Sequence, residues 1–225
     1  MKVLYEDNHI IAVSKTCHEI VQGDKTGDIP LSEMVKAYIK EKYNKPGEVF
    51  LGVTHRLDRP TTGVVLFART SKALTRLNEM FKSHELIKKT YWAIVKDRPK
   101  ELEGELQHWL VRNEKQNKSY AYDKEVKNSK KAILCYKLIA HSVNYHLLEV
   151  DLKTGRHHQI RCQLAKMGCP IKGDLKYGSP RSNPDGSICL HARRVRFIHP
   201  VSKQEIDLTA PLPQGNLWAG FDVDK

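Results

Sequence analysis

The chain has 225 residues, of which 40% are hydrophobic, and its formal net charge is +12 at neutral pH. This length and hydrophobic content exclude a disordered protein, and no window approaches the roughly 18 consecutive apolar residues of a membrane helix. Lysine and arginine outnumber aspartate and glutamate by 38 to 26. That excess favours a polyanionic partner, most often nucleic acid.

The N-terminal sequence MKVLYEDNHIIAVSK contains acidic residues and no long apolar region, so it does not predict a signal peptide and the expected location is the cytoplasm. The five cysteines are odd in number, and no two have CxxC spacing. This pattern argues against a disulfide framework or a zinc ribbon. We therefore expect reduced and mostly buried thiols.

The first half of the chain predicts strands and two helices. Residues 2–14 predict two short strands around Glu-Asp-Asn, and LSEMVKAYIKEKY has the spacing of a helix. The next segment, VFLGVTHRLD, is predicted to be extended, which would place Arg56 and Asp58 on one face. GVVLFART predicts a buried strand, and TSKALTRLNEMFKSHEL predicts an amphipathic helix capped by Thr70.

The second half adds more strands and one helix. KTYWAIVK predicts a strand with Tyr91 on one face. Residues 97–131 are charged, and we interpret them as a hairpin excursion plus an exposed lysine-rich loop. Strands are predicted at 132–140 and 146–152, followed by a helix in RHHQIRCQLAKMG that starts after Gly155. LHARRVRFIHPVSKQEIDLTAPLP predicts two strands joined by a turn.

The order of these elements indicates the fold class. Strands outnumber helices and do not alternate with them regularly. This pattern favours an α+β fold, with a mixed, largely antiparallel central sheet and flanking helices and loops. We expect residues 1–225 to form a single domain.

Asp58 is the first candidate for chemistry. It follows a predicted strand and precedes Pro60, which restricts the backbone. Arg56 lies two residues away and would favour the ionised carboxylate. From these residues alone, two interpretations stay open, namely a positioned nucleophile and a structural Arg–Asp pair at the end of a strand.

TGRHHQIR forms a second cluster, at a predicted helix start, and could contact phosphates or form a solvated basic face. Arg161 falls beside the apolar stripe of that helix, where it could reach a partly buried site. His157 and His158 lack a third metal ligand at suitable spacing, so no metal is predicted. Tyr91 is either a core residue or a platform for a base. No GxGxxG, GxxxxGK[ST], GxSxG or HExxH occurs, so no cofactor is predicted.

Three segments in register resemble the signatures of the RluA-type pseudouridine synthases. HRLDRPTTGVVLFART is similar to HRLDxxTSG, TGRHHQIRCQLAKMGCPIKGDLKYG to GRxHQIRxHLxxxGxPIxGDxxYG, and LHARRVRFIHP to LHAxxLxFxHP. The resemblance extends from residue 1 to about residue 212. Three sequence departures are Thr62 in place of serine, His157 in place of a small residue, and Cys162-Gln163 in place of valine-histidine.

The resemblance implies a role for individual residues. Asp58 matches the catalytic aspartate, Tyr91 the tyrosine that stacks on the target base, and Arg161 the basic residue that pairs with the aspartate. Arg56 matches the arginine that holds the place of the flipped-out nucleotide. Further RNA contacts are expected from residues of the same motifs, namely His55, Arg156, His158 and Gln159.

The resemblance also implies the reaction and the partners. The reaction is the isomerisation of uridine to pseudouridine in ribosomal or transfer RNA, and it requires no cofactor. The family's N-terminal S4 RNA-binding domain is expected to be missing, and the protein is expected to be a monomer.

Two alternatives come from other functional classes. A non-catalytic RNA-binding protein would explain the basic charge but not the matching of Asp58, Tyr91 and Arg161. A nuclease or phosphodiesterase would need clustered carboxylates for metal ions or an acid–base histidine pair. His55 and His191 are candidates for such a pair, but no acidic cluster accompanies them.

Overall fold

The computed structural model describes residues 1–24, 26–83 and 86–221. The strands are β1 (Lys2–Glu6), β2 (Ile10–Lys15), β3 (Gly52–Val53), β4 (Thr62–Ala68), β5 (Ile87–Val95), β6 (Glu103–Asn113), β7 (Lys118–Tyr122), β8 (Lys130–His141), β9 (His146–Leu152), β10 (Leu190–Ile198) and β11 (Glu205–Thr209). The α-helices are α1 (Leu31–Lys42), α2 (Ser71–Ser83), α3 (Gln159–Lys166) and α4 (Asn216–Ala219), and a short 3-10 helix spans Leu175–Tyr177.

The chain forms two compact units. Unit 1 comprises Met1–Lys88 and Arg193–Pro211, and unit 2 comprises Lys89–Ala192 with the segment from Leu212 onward. Mostly antiparallel strands with a few helices confirm the predicted α+β class. No helix within the described ranges is long and apolar enough to cross a membrane.

Unit 1 places its strands in the order β1-β2-β4-β10, with β3 paired to β4 and β11 to β10. The β1–β2 hairpin is closed by Asp7, whose Oδ1 accepts hydrogen bonds from the backbone N–H groups of His9 (2.7 Å) and Ile10 (2.8 Å). Such an Asx turn explains why Glu-Asp-Asn separates the two strands. The predicted hairpin and both predicted helices of this unit are confirmed, although residues 84 and 85 of the second predicted helix lie outside the described residues.

The core of unit 1 lies between α2 and one side of these strands. Leu77 of α2 is fully buried, in a cluster that includes Leu66 of β4 and Phe197 of β10. Thr70 caps the helix as predicted, because its Oγ1 accepts a hydrogen bond from the N–H of Ala73 (3.2 Å). Every residue of β4 is buried, as its continuous apolar run predicts.

Unit 2 has the strand order β5-β9-β8-β6-β7. One face of this sheet packs against α3, where Cys162 clusters with Leu110 of β6 and Ala132 of β8. The predicted strands at 132–140 and 146–152 are confirmed as β8 and β9. Three of the cysteines (Cys162, Cys169 and Cys189) are buried.

Residues 97–131 contain the predicted hairpin, formed by the antiparallel strands β6 and β7, and the predicted exposed lysine-rich loop follows at residues 123–128. Two other sequence-based predictions differ from the structure. The predicted strand through Asp58 is limited to Gly52–Val53. The helix predicted to start after Gly155 begins at Gln159, because His158 has left-handed backbone angles (φ 51°, ψ 28°).

Candidate active site

The Asp58 turn, residues 58–61, is held by the ammonium group of Lys15. Lys15 ends β2, is 1% exposed, and donates hydrogen bonds to the backbone carbonyl groups of Asp58 (3.2 Å), Arg59 (2.8 Å) and Thr61 (2.7 Å). A further bond closes the turn, from the N–H of Thr61 to the carbonyl oxygen of Asp58 (3.0 Å). The main chain of Asp58 is therefore anchored, while its side chain is partly exposed.

Burial changes the proton affinity of Lys15. Removal from water disfavours the charged ammonium group and lowers the pKa of Lys15 to about 8, although the negative charges of nearby groups, among them Glu19 and Asp58, oppose the shift. The carbonyl dipoles compensate part of the cost of burial. Lys15 therefore keeps its charge near neutral pH, and the charged group holds this turn.

The segment that leads to Asp58 is attached to β4 by side chains. Thr54 Oγ1 donates to the carbonyl oxygen of Leu66 (2.5 Å), and the N–H of Leu66 donates to His55 Nε2 (3.0 Å). The His55 ring also stacks on Phe81, with 4.7 Å between centroids. Beyond Val53, these side-chain hydrogen bonds take the place of backbone hydrogen bonds between strands. His55 therefore positions the motif that contains Asp58.

The two arginines of HRLDR have different surroundings. Arg56 is exposed, and within residues 1–24, 26–83 and 86–221 no ion pair joins it to Asp58. Arg59 forms ion pairs with Asp28 (2.7 Å) and Asp24 (3.6 Å). The structural Arg56–Asp58 pair that the sequence left open is therefore not the arrangement observed.

In unit 2, Arg161 is buried and held by a carboxylate. Its Nε and Nη2 atoms donate to Asp174 Oδ2 (2.7 Å) and Oδ1 (2.9 Å). Arg161 is 5% exposed and Asp174 is 1% exposed. This bidentate geometry fixes the plane of the guanidinium group, and the prediction of a partly buried Arg161 beside the apolar stripe is confirmed.

His158 extends this network to Tyr177. The third nitrogen of the guanidinium group, Arg161 Nη1, is 3.1 Å from His158 Nε2, and His158 Nδ1 is 3.0 Å from the Tyr177 hydroxyl oxygen. Because arginine only donates, Nε2 accepts and Nδ1 carries the proton. Tyr177 also accepts a hydrogen bond from the N–H of Ser119 (2.8 Å), and its burial raises the pKa of its hydroxyl.

Gln159 and Arg156 connect the start of α3 to β8. Gln159 is buried; its Oε1 accepts from Thr154 Oγ1 (2.7 Å) and the N–H of Arg156 (3.0 Å), and its Nε2 donates to the carbonyl oxygen of Ile133 (3.0 Å). Arg156 is exposed, and its Nε donates to the carbonyl oxygen of Lys131 (3.0 Å). Gln159 therefore positions this segment, whereas the guanidinium group of Arg156 lies at the surface.

Tyr91 lies in the middle of β5, directly opposite Val150 of β9, and is 9% exposed. Its neighbour Trp92 points to the other face, where its Nε1 donates to Glu149 Oε2 (3.3 Å). The predicted alternation of faces in KTYWAIVK is confirmed. Tyr91 therefore lies on the sheet face against which α3 packs.

Three residues of these networks were not singled out from the sequence, namely Lys15, Asp174 and Tyr177. A lysine directly after the mostly apolar run IIAVS is one signal that could have found Lys15. Asp174 and Tyr177 lie inside the quoted motif GDLKYG. No group of three or more potential metal ligands occurs in the described part of the chain.

Comparisons with known proteins identify the family. Residues 9–166 match the family model described as RNA pseudouridylate synthase. The chain is 33% identical over 213 residues to ribosomal large subunit pseudouridine synthase C of Rickettsia bellii, with 94% of this chain and 68% of that protein covered. It is 32% identical over 229 residues to tRNA pseudouridine synthase C of Vibrio vulnificus, with 93% and 90% covered.

The chain spans about two thirds of the length of the first curated relatives that it matches. Its fold is similar to that of human RNA pseudouridylate synthase domain containing 4, with a TM-score of 0.79, 24% identity, and coverage of 95% of this chain and 89% of that one. The resemblance carried by the three sequence motifs is thereby confirmed. The chain belongs to the RNA pseudouridylate synthase family.

Proposed function

We propose that this chain acts as one catalytic domain that isomerises specific uridines of structured RNA to pseudouridine, with Asp58 as the catalytic carboxylate. The observation that carries the proposal is the anchoring of the Asp58 turn by Lys15. A reacting carboxylate must stay in place while the base is detached and turned. A main chain fixed by a buried cation meets that requirement.

The reaction breaks the bond between ribose and uracil N1 and joins the ribose to C5; C5 loses its proton and N1 gains one, so no outside group and no cofactor is consumed. The uridine must first leave its stack, which costs a few kcal/mol. The Asp58 carboxylate assists cleavage of the glycosidic bond. Tyr91 stacks on the uracil and keeps it from escaping, since any aromatic face can hold a base without reading its sequence.

Arg161 supplies a fixed positive charge that orients the catalytic carboxylate. Because Asp174 already fixes the guanidinium plane, Arg161 needs no reorganisation when substrate binds. His158 and Tyr177 support the same side chain. In this assignment Asp58, Tyr91 and Arg161 are the catalytic residues.

Arg56 and Arg156, both exposed, contact the RNA, with Arg56 occupying the place of the flipped nucleotide. His55, His158 and Gln159 serve RNA binding by holding the segments that carry these arginines. The net charge of +12 attracts the phosphate backbone independently of sequence.

The target is ribosomal or transfer RNA, and we favour ribosomal RNA. Relatives of similar identity are named for each class. The proposed enzyme is a monomer of the cytoplasm.

The test is a pseudouridine map of total RNA from cells with the protein, without it, and with the Asp58→Asn variant in its place. We expect one or more pseudouridines to disappear on deletion and to return with the wild-type chain but not with the variant. Restoration of the same sites by Asp58→Asn would overturn the assignment of Asp58. Identical maps with and without the wild-type chain would instead favour a non-catalytic RNA-binding protein of the same fold.

A further inference from the structure

The sheet of unit 2 has a second face that the proposed chemistry does not use. Residues directly opposite each other in paired strands share a face, so Tyr91 shares its face with Val150, Tyr136 and, further along β8, Ala132. That is the face covered by α3. The opposite face is formed at the β6–β7 end by the paired residues Trp109 with Tyr122 and Val111 with Tyr120.

We call these four residues, together with Lys118 and Lys131, the aromatic face. Tyr120 is 38% exposed and Tyr122 is 42% exposed, so both rings are accessible on one short strand. Lys131 lies opposite Trp109 and is exposed. Lys118, on the edge strand β7, has its Nζ 5.5 Å from the centroid of the Tyr120 ring and 5.1 Å from that of Tyr177. Two exposed tyrosine rings therefore have ammonium groups near them.

The charge of this region is strongly positive. Between residues 112 and 131, seven basic residues stand against three acidic ones. At its other end the same sheet face is negatively charged, because Glu103, Glu149 and Asp151 surround Lys137 there. A polyanion on this face would thus be confined to the β6–β7 end.

We propose that the aromatic face binds an unpaired segment of the substrate RNA, with bases stacked on Tyr120 and Tyr122 and phosphates contacted by Lys118 and Lys131. This inference rests on the proposed function, which makes RNA the partner. Aromatic rings accept any base, and neighbouring cations follow the backbone. The contact is separate from the Tyr91 side of the sheet, so it contributes to capturing RNA and not to the isomerisation.

Charge also argues against a second copy of this chain as the occupant. A two-fold dimer through the aromatic face would place the same lysines against each other, and like charges at an interface oppose association. RNA supplies the complementary charge. A dimer is therefore an outcome of the test and not the proposal.

The test measures binding of a short fluorescein-labelled oligouridylate by anisotropy. We expect Tyr120→Ala combined with Tyr122→Ala to weaken binding about tenfold or more, while Tyr120→Phe combined with Tyr122→Phe, which keeps both rings, binds like wild type. Lys118→Ala combined with Lys131→Ala should reduce the salt dependence of log Kd by about 0.7 per lysine. Lys137→Ala, at the acidic end of the same face, is the matched control and should change neither quantity.

Two further measurements separate the possible failures. On total RNA from cells that lack the protein, the double alanine variant at Tyr120 and Tyr122 should need more RNA for half-maximal pseudouridine formation and keep the wild-type rate at saturation. Unchanged oligouridylate binding by the alanine variants would overturn the proposal, as would a wild-type dimer in sedimentation that those substitutions dissociate. Failure of wild type to form pseudouridine would contradict the proposed function, a result distinct from the binding data.

Discussion

Asp58 is held through its main chain, whereas Arg161 is held through its side chain. The Asp58 turn is anchored because Lys15 bonds to three of its carbonyl groups. Arg161 is anchored because Asp174 bonds to two nitrogens of its guanidinium group. Both supports are buried ions, Lys15 at 1% exposure and Asp174 at 1%.

The difference indicates how each region should respond to substitution. A carboxylate whose backbone is fixed can be replaced without loosening its turn. A buried guanidinium group cannot lose its carboxylate without leaving an uncompensated charge. The predictions below test this contrast, in order of decreasing expected effect.

Asp58→Asn should reduce pseudouridine formation about ten-thousandfold or more, as expected for loss of an essential catalytic group. The carbonyl oxygens that Lys15 contacts are retained in asparagine, so the melting temperature and the RNA affinity should stay close to wild type. Single-turnover assays on RNA from deletion cells, with thermal unfolding and binding in parallel, check this. A large fall in melting temperature would show that the side chain of Asp58 also supports the fold.

Asp174→Ala should lower the free energy of unfolding by about 3–5 kcal/mol, because the buried Arg161 loses its bidentate partner. Asp174→Asn is the matched control; it keeps the volume and one acceptor oxygen and should cost less. Urea denaturation of both variants gives the comparison. A loss below about 1 kcal/mol for the alanine variant would mean that Asp174 does not compensate the charge of Arg161.

Lys15→Met should destabilise the chain by about 2 kcal/mol, because the buried carbonyl groups of the Asp58 turn lose a donor while the cost of burying an ammonium group is relieved. Pseudouridine formation should fall as well, because the turn is no longer fixed. Lys72→Met, at an exposed position of α2, is the control and should have little effect on either quantity. Full activity of Lys15→Met would show that the anchoring of the Asp58 turn by Lys15 is not required for catalysis.

The pH dependence of stability should also differ between wild type and Lys15→Met. The pKa of Lys15 is about 8 in the folded chain, below its ordinary value of 10.5. As the pH rises, the folded state therefore releases this proton at a lower pH than the unfolded state does. Between these values the unfolded state binds more protons, and stability rises with pH. The unfolding free energy of wild type should therefore gain about 1–2 kcal/mol relative to the variant between pH 7 and pH 9.5.

The variant is needed as the reference for that measurement because burial also lowers the pKa of Lys89 to about 8. Lys89 is present in both proteins, so its contribution cancels in the difference. Parallel stability curves across this pH range would contradict the assigned proton loss at Lys15.

Asp58 could be singled out as a candidate from the sequence and Lys15 could not, because the two differ in how far along the chain their signals lie. Asp58, Tyr91 and Arg161 each stand in a local pattern that the sequence displays. The hydrogen-bond partners of Lys15 lie 43 to 46 residues further along the chain. The pattern of residues within one segment cannot predict a partner at that separation. The bidentate contact of Arg161 with Asp174 likewise depends on how the loop after α3 returns to that helix.

The same limit explains the errors in the fold. Helices α1 and α2 were predictable because their apolar residues recur at helical spacing, and strand β4 because its apolar run is continuous. The strand predicted through Asp58 ends at Val53, since the carbonyl groups of the turn bond to Lys15 instead of a neighbouring strand. The side chains of Thr54 and His55, and not their backbone groups, form the hydrogen bonds to Leu66. The alternation of side chains along a predicted strand does not reveal such an exchange.

The smallest effect on stability is expected at Arg56, whose role the sequence left open. Arg56 is exposed, and we expect Arg56→Ala to change the unfolding free energy by no more than about 0.5 kcal/mol. Because the proposed role of Arg56 is to occupy the place of the flipped nucleotide, its loss should weaken productive capture of RNA about tenfold. Steady-state kinetics and thermal unfolding of the same preparation separate the two effects.

The neighbouring Arg59 provides the matched control for Arg56. Arg59→Ala removes an equal charge from the same motif but breaks surface ion pairs with Asp28 and Asp24, which contribute little in water. If general attraction for RNA were all that Arg56 supplies, both variants would lose the same affinity and the same salt dependence. A larger loss at Arg56, at unchanged melting temperature, would assign it to the flipped state, whereas a lowered melting temperature with normal kinetics would return it to a structural role.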